Sequence, residues 1–396
     1  MGGSAFSAIL AASSFPRLPP VVYRNLKASL IPTLGQYYRH VTVPAEGPEK
    51  VDYGDLDLLV VLPKAPFNDN RSGSTATVPH DIIKKALGAT LSNEMEGNRT
   101  SNYGIPVRVG EWSAFGLAKD EERLREEAVN GEIFYQVDVR VCSDLNEWNR
   151  VGFFHSYGDM GMILGLLARN SGLHLGLLGL KLANPPNPSF ELSTSFDDIV
   201  KFLGIPMDTY NAGFQTRRAV FEWIASSHLL DPNDFRLSGQ GFTKVKKDRI
   251  MYAEFVEWVQ QRNSSRGADV DLVVTPEARE ERHARIRAAA LDFFGKTREY
   301  ELMLQEKSSS KKLKKSWSGS RVRDWTELGE YWSGVKRIMD EVRSRLGGDP
   351  GVLAYLDENG DDSLKELVLE VKEDLGIRSI PPSDSPTIHQ EGTSSS

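Results

Sequence analysis

Residues 51–62, VDYGDLDLLVVL, constrain the fold more than any other stretch of this 396-residue chain. Their second half, 58–62, is apolar and built of strand formers, and Pro63 stops it. The stretch therefore reads as a β-strand with two carboxylates at its start. Side chains alternate faces along a strand, which puts Asp55 and Asp57 on one face, roughly 7 Å apart along the chain. Two aspartates so placed repel each other unless a cation lies between them. Hard oxygen ligands of this kind suit Mg²⁺, which also takes oxygens from a phosphate. A polar strand end capped by acids in a turn fits the same residues.

A second stretch bears on the choice. Residues 134–141, FYQVDVRV, alternate cleanly, with Val137, Val139 and Val141 on one face and Gln136, Asp138 and Arg140 on the other. Asp138 is thus an acid in the middle of a half-buried strand, where an unpaired charge is costly. Either Arg140, or Arg108 from a neighbouring strand, neutralises it, or it completes a metal site with Asp55 and Asp57.

A Gly-Asp-x-Asp at the start of an apolar strand (Gly54 to Asp57), followed about 80 residues later by a lone Asp in a second strand, resembles the DNA polymerase β-type nucleotidyltransferase superfamily over about residues 23–182. The resemblance implies an α+β fold: a small mixed sheet with flanking helices, then a mainly helical domain. It implies that Asp55, Asp57 and Asp138 are the catalytic, metal-binding carboxylates for Mg²⁺ or Mn²⁺. The implied reaction transfers a nucleotide from an NTP to an acceptor hydroxyl, on an RNA 3′ end, a small molecule or a protein, and releases pyrophosphate. Gly54, Ser156 and Lys181 are then candidates for nucleotide binding. Ser156, beside His155, sits near a helix N-terminus, where backbone N–H groups meet anions, although Ser156 with Asp159 three residues on also reads as a plain cap. Lys181 offers a charge to a phosphate but is equally an ordinary surface lysine. The superfamily carries a Gly-Ser or Gly-Gly pair eight to ten residues before its Asp-x-Asp. The corresponding stretch here, 43–50, keeps Gly47 but has no Gly-Ser pair and holds Glu46 and Glu49. Acids near a polyphosphate weaken its binding, so the alternative is a catalytically inactive, nucleotidyltransferase-like binding module.

Composition narrows the remaining classes. A net charge of −7 argues against a generally basic nucleic-acid binder. One cysteine, Cys142, excludes a disulfide framework within the chain and suits a reducing compartment, cytoplasmic or nuclear. The N-terminus is small and apolar but has no basic residue ahead of its apolar run, unlike a secretory signal. The apolar run 160–182 is interrupted by Arg169, Asn170, His174 and Lys181, so it reads as a buried helix, a turn and a further element, not a membrane span.

The expected order is a flexible N-terminus (1–20), the nucleotidyltransferase-like domain (21–184), a helical domain (190–305), a basic flexible segment (306–324), C-terminal helices (325–376) and a disordered tail (377–396). Within the first domain, Pro106 suggests that the strand over 103–109 lies at a sheet edge. Ser195 with Asp198 marks a helix start, and Gly204 marks its end. Residues 307–323 hold seven Lys or Arg and no Asp or Glu. Lys311, Lys312, Lys314 and Lys315 beside Trp317 combine charge with a stacking aromatic, which a single-stranded RNA contact uses. A flexible basic loop or a localisation signal fits those residues too.

Overall fold

The structure, a computed structural model, describes residues 4–68, 77–94, 99–235, 249–265 and 275–378. The chain divides into two compact units between Lys296 and Thr297. The first is mixed α+β and contains both sheets.

It opens on two short 3-10 turns. Contrary to a flexible N-terminus, Phe6 and Phe15 are buried and stack with ring centroids 5.1 Å apart, and Phe15 meets Phe134. Apolar burial pins a segment that its proline content alone would leave loose. Leu18 then pairs with Tyr53 through two backbone hydrogen bonds of 2.7 and 3.0 Å. Helix α1 (Pro20–Leu34) buries Val22, Leu26, Leu30 and Leu34 along one stripe. Strand β1 (Tyr38–Thr42), strand β2 (Leu56–Pro63), helix α2 (His80–Leu87), strands β3 (Leu91–Asn93) and β4 (Thr100–Pro106), helix α3 (Ala118–Glu127) and strand β5 (Phe134–Val141) follow.

These strands form a five-stranded mixed sheet in the order β1-β2-β5-β4-β3. Only β2 and β5 run parallel. Strand β4 pairs on both sides, so the edge position expected from Pro106 is not found. Pro106 is the last residue of β4, where a missing N–H breaks no interior ladder. Leu56, Leu58 and Val60 face the main core with α1 and α2, and Leu59 and Val61 face the other way, onto Val151.

Val151 belongs to helix α4 (Leu145–His155), whose cap Asp144 accepts the Glu147 N–H at 2.8 Å. Helix α5 (Met160–Asn170) and the strands β6 (Leu173–Gly176) and β7 (Gly179–Leu182) divide the apolar run 160–182. Among the described residues, no helix is long and apolar enough to cross a membrane. Strand β8 (Phe190–Ser193) completes a three-stranded antiparallel sheet. Helix α6 (Phe196–Leu203) starts on the Ser195 cap and ends at Gly204 with φ 71°, as its sequence predicts. Helices α7 (Met207–Ala212), α8 (Arg217–Ile224), α9 (Ile250–Ser265) and α10 (Pro276–Phe293) finish the unit.

The second unit is helical: α11 (Thr297–Ser316), α12 (Gly319–Thr326), α13 (Trp332–Leu346) and α14 (Asp349–Asp374). The segment 306–324, expected to be flexible, is helix through most of its length. Trp317 is 4% exposed and joins Val322, Ile338 and Val368 in this unit's core. Ile377 is also buried in that core, whereas residues 379–396 of the expected tail lie outside the described residues.

Candidate active site

Two neighbouring strands bring Asp57 and Asp138 to one face, and Asp55 lies just before the first of them. Asp57 precedes Leu59 and Val61 on the α4 side of β2, and Asp55 stands two residues earlier in the same phase. Strands β2 and β5 pair in parallel with Asp57 directly opposite Asp138. Directly paired strand residues point to the same side of a sheet, so Asp57 and Asp138 share it, and Asp55 lines the same cavity as Asp57.

Asp138 is oriented by neutral partners. Gln136 Nε2 donates to its Oδ1 at 3.0 Å, and the Asn102 side chain, across the β4 pairing, is a second hydrogen-bond partner. Arg140, one expected neutraliser, is committed elsewhere: its guanidinium reaches Glu147 at 3.1 Å, and Arg99 reaches the same carboxylate at 2.7 Å. Although burial works against the charge, Ser143, Arg140 and Arg99 hold the Glu147 carboxyl down to about 2. Arg108 is exposed. Among the described residues, no Lys, Arg or His forms an ion pair with Asp55, Asp57 or Asp138.

Asp55 and Asp57 line a cavity of about 280 Å³. Asp57 is exposed to this cavity but has protein around its other sides. Burial, then the charges of Asp55 and Asp138, push its carboxyl up to about 7, while Lys50 pulls it down. Burial likewise raises Asp138; Asn102 and Gln136 oppose the shift and Asp55 adds to it. This repulsion is what a divalent cation would relieve, and carboxylate oxygens are the donors that Mg²⁺ or Mn²⁺ prefers. Among the described residues, no three His, Cys, Asp or Glu side chains stand ready as a complete ligand set. Mg²⁺ commonly takes one or two carboxylates and completes its shell with substrate phosphates and water.

The other acids around the cavity are satisfied internally. Glu46 accepts from Lys27 at 2.9 Å and from the Tyr53 hydroxyl at 2.8 Å. Despite burial, these bonds hold its carboxyl below the usual range. Asp159 receives Arg249 at 2.8 Å and the Tyr252 backbone N–H at 3.3 Å, so it caps α9 and not its own helix, α5. Tyr23 and Tyr53 stack at 3.8 Å, nearly parallel, and both line the cavity.

The remaining sequence-predicted residues are placed as follows. Gly54 is buried at the start of β2 between Tyr53 and Asp55, which both line the cavity. Ser156 is also buried; its hydroxyl accepts the Ala45 N–H at 2.9 Å and donates to the Gly152 carbonyl at 2.6 Å. It therefore fixes the loop before β2 against α4, while its neighbour His155 lines the cavity. Lys181 lies on β7, opposite His174 and Glu191 in the second sheet, and is not among the cavity-lining residues. Lys311, Lys312, Lys314 and Lys315 are exposed on α11, and Lys312 pairs with Asp357. Trp317 is buried, so its ring is not open to a base. The sequence reading missed Lys50, Arg249 and the tyrosine pair. The contact between Tyr23 and Tyr53 joins residues 30 apart, and no local pattern announces it. Compared with protein-family models and with curated proteins, the chain matches none of them.

Proposed function

We propose that this protein is a metal-dependent nucleotidyltransferase with a nucleotidyltransferase-like first unit, and that Asp55, Asp57 and Asp138 are its catalytic carboxylates. One observation carries the reading. Asp57 and Asp138 stand in register on adjacent parallel strands with Asp55 just before β2 in the same cavity as Asp57, and among the described residues none is in an ion pair, whereas Glu46 and Asp159 in that cavity each are. Neighbouring acids without an ion pair cost stability unless a ligand repays it.

Asp55 and Asp57 would hold Mg²⁺ against the nucleotide, and Asp138 would join from β5. Bound there, the cation would supply charge neutralisation for in-line displacement of pyrophosphate. The protein's own contribution is positioning. Gln136 and Asn102 fix the Asp138 carboxylate, Leu59 and Val61 anchor the β2 strand on α4, and the stacked tyrosines form a cavity wall. Catalysis of this kind rests on preorganised charge and needs few special side chains.

The alternative, a nucleotide-binding module without turnover, draws on the missing Gly-Ser pair. Its further support, the acid Glu46 in the expected polyphosphate loop, weakens because Lys27 and Tyr53 neutralise that acid. Incubation of the full chain with each labelled NTP and Mg²⁺ or Mn²⁺, with mixed RNA and the protein itself as acceptors, tests the reading. Label transfer that Asp55→Ala and Asp138→Ala abolish supports the enzyme. Metal-dependent NTP binding without transfer or pyrophosphate release supports the binding module.

A further inference from the structure

Residues 44–54, the loop that delivers the chain to β2, hold four charged side chains: Glu46, Glu49, Lys50 and Asp52. The three acids are all engaged. Glu46 has Lys27 and Tyr53, Glu49 accepts the Arg217 backbone N–H at 3.2 Å, and Asp52 pairs with Arg17 at 2.6 Å. Lys50 has no ion pair or hydrogen bond among the described residues. Its ammonium lies 4.5 Å from the centre of the Tyr53 ring, and the side chain lines the same cavity as Asp55 and Asp57. The loop under it is pinned: Ala45 exchanges hydrogen bonds with Ser156 and Tyr157, and Gly47 packs on Gly158. The other strong cation lining the cavity, Arg249, is already held by Asp159.

An ammonium fixed over an aromatic face, facing a cavity and in no ion pair among the described residues, is placed to receive an anion that enters with the substrate. Asp55 and Asp57 attract this ammonium through space without forming an ion pair with it, and we infer that Lys50 binds the non-transferred phosphates of the nucleotide, and so selects a triphosphate over a monophosphate. This role rests on the proposed nucleotidyltransferase reading. It gives the loop a phosphate contact where the Gly-Ser pair is missing. The competing role is plain counter-charge, with Lys50 serving only to offset the aspartate cluster at a distance.

Calorimetry on the full chain separates these. The probes are Mg²⁺ alone, then α,β-methylene triphosphate analogues of the four common nucleosides, then the matching monophosphates in Mg²⁺. Lys50→Gln is expected to weaken triphosphate binding by about tenfold to a hundredfold, the scale of one lost charge-assisted contact. It should leave monophosphate binding within about twofold, and Lys50→Arg should restore most of the loss. Unchanged circular dichroism and Tm for Lys50→Gln show that the fold is intact. If Lys50→Gln binds triphosphate like the wild type, or only tightens Mg²⁺ binding as removal of a counter-charge would, the phosphate role is overturned while the nucleotidyltransferase reading stands. If the wild-type chain binds no nucleotide in Mg²⁺, both fall.

Discussion

Two regions of this chain carry the chemistry of nucleotide or nucleic-acid contact in their sequence, and folding treats them in opposite ways. In β2 and β5 the apolar residues are used up on both sheet faces, Asp55 and Asp57 are left lining a cavity, and Asp138 stands beside Asp57 on the neighbouring strand. Around α11 and α12 the aromatic residue goes into the core, and the lysines are left on the surface. The difference lies in what each side chain can exchange for water. An indole loses little on burial and gains much contact area. A carboxylate has no comparable gain without a cation, so it stays where water or a ligand can reach it. A buried acid, Glu121, shows what a structural carboxylate looks like here. Glu121 is 3% exposed and accepts from the backbone N–H groups of Gly110 and Trp112, both at 2.8 Å, with Arg125 at 2.9 Å. Asp57 has none of these partners.

The comparison breaks first at the aspartates. Asp138→Ala and Asp57→Ala are each expected to lower label transfer by about a hundredfold to a thousandfold, the scale of losing one preorganised charge contact. Retained activity in either variant would return the cluster to an ordinary strand end. Trp317→Ala comes next. It should destabilise the second unit by about 3–5 kcal/mol in chemical denaturation. Trp317→Phe should cost far less, because the indole N–H has no partner among the described residues.

A pH series sharpens the aspartate side. The Asp57 carboxyl is raised in the folded chain to about 7 from an ordinary value near 4. The folded state therefore binds a proton that the unfolded state has released, and the metal-free protein should lose stability as pH rises from about 4 to about 7. Asp57→Asn should remove that slope, and Mg²⁺ should flatten it. The smallest effect is expected on α11. Replacing Lys311, Lys314 and Lys315 together by alanine should move stability by about 0.5 kcal/mol or less per site, as exposed positions without partners do.

What could be read from the chain alone follows the range of the interactions involved. The nearness of Asp55 to Asp57 and the alternation around Asp138 are local; the strand begins one residue after Asp55, yet both acids line one cavity. The Ser195 cap and the Gly204 stop are equally local. Long-range pairings were not legible. Lys27 cancels Glu46 from α1, and Glu147 on α4 takes Arg140 away from Asp138. The Phe6–Phe15–Phe134 contact turns a proline-rich start into packed structure. Trp317 was misread because its serine- and lysine-rich neighbours hide the partners, Val322 to Val371, that bury it. Strand β8 follows a proline-rich turn and is only four residues long, too short for its alternation to stand out.

The most direct test of the aspartate cluster is Mn²⁺ binding by the full chain, followed by electron paramagnetic resonance with and without an NTP analogue, in the wild type and in Asp57→Asn. Nucleotide-enhanced Mn²⁺ binding that Asp57→Asn removes, with the variant as stable as the wild type or more so, is the expected result. Equal Mn²⁺ binding by both proteins, or none by the wild type with the analogue present, would contradict a cation site built on Asp55, Asp57 and Asp138.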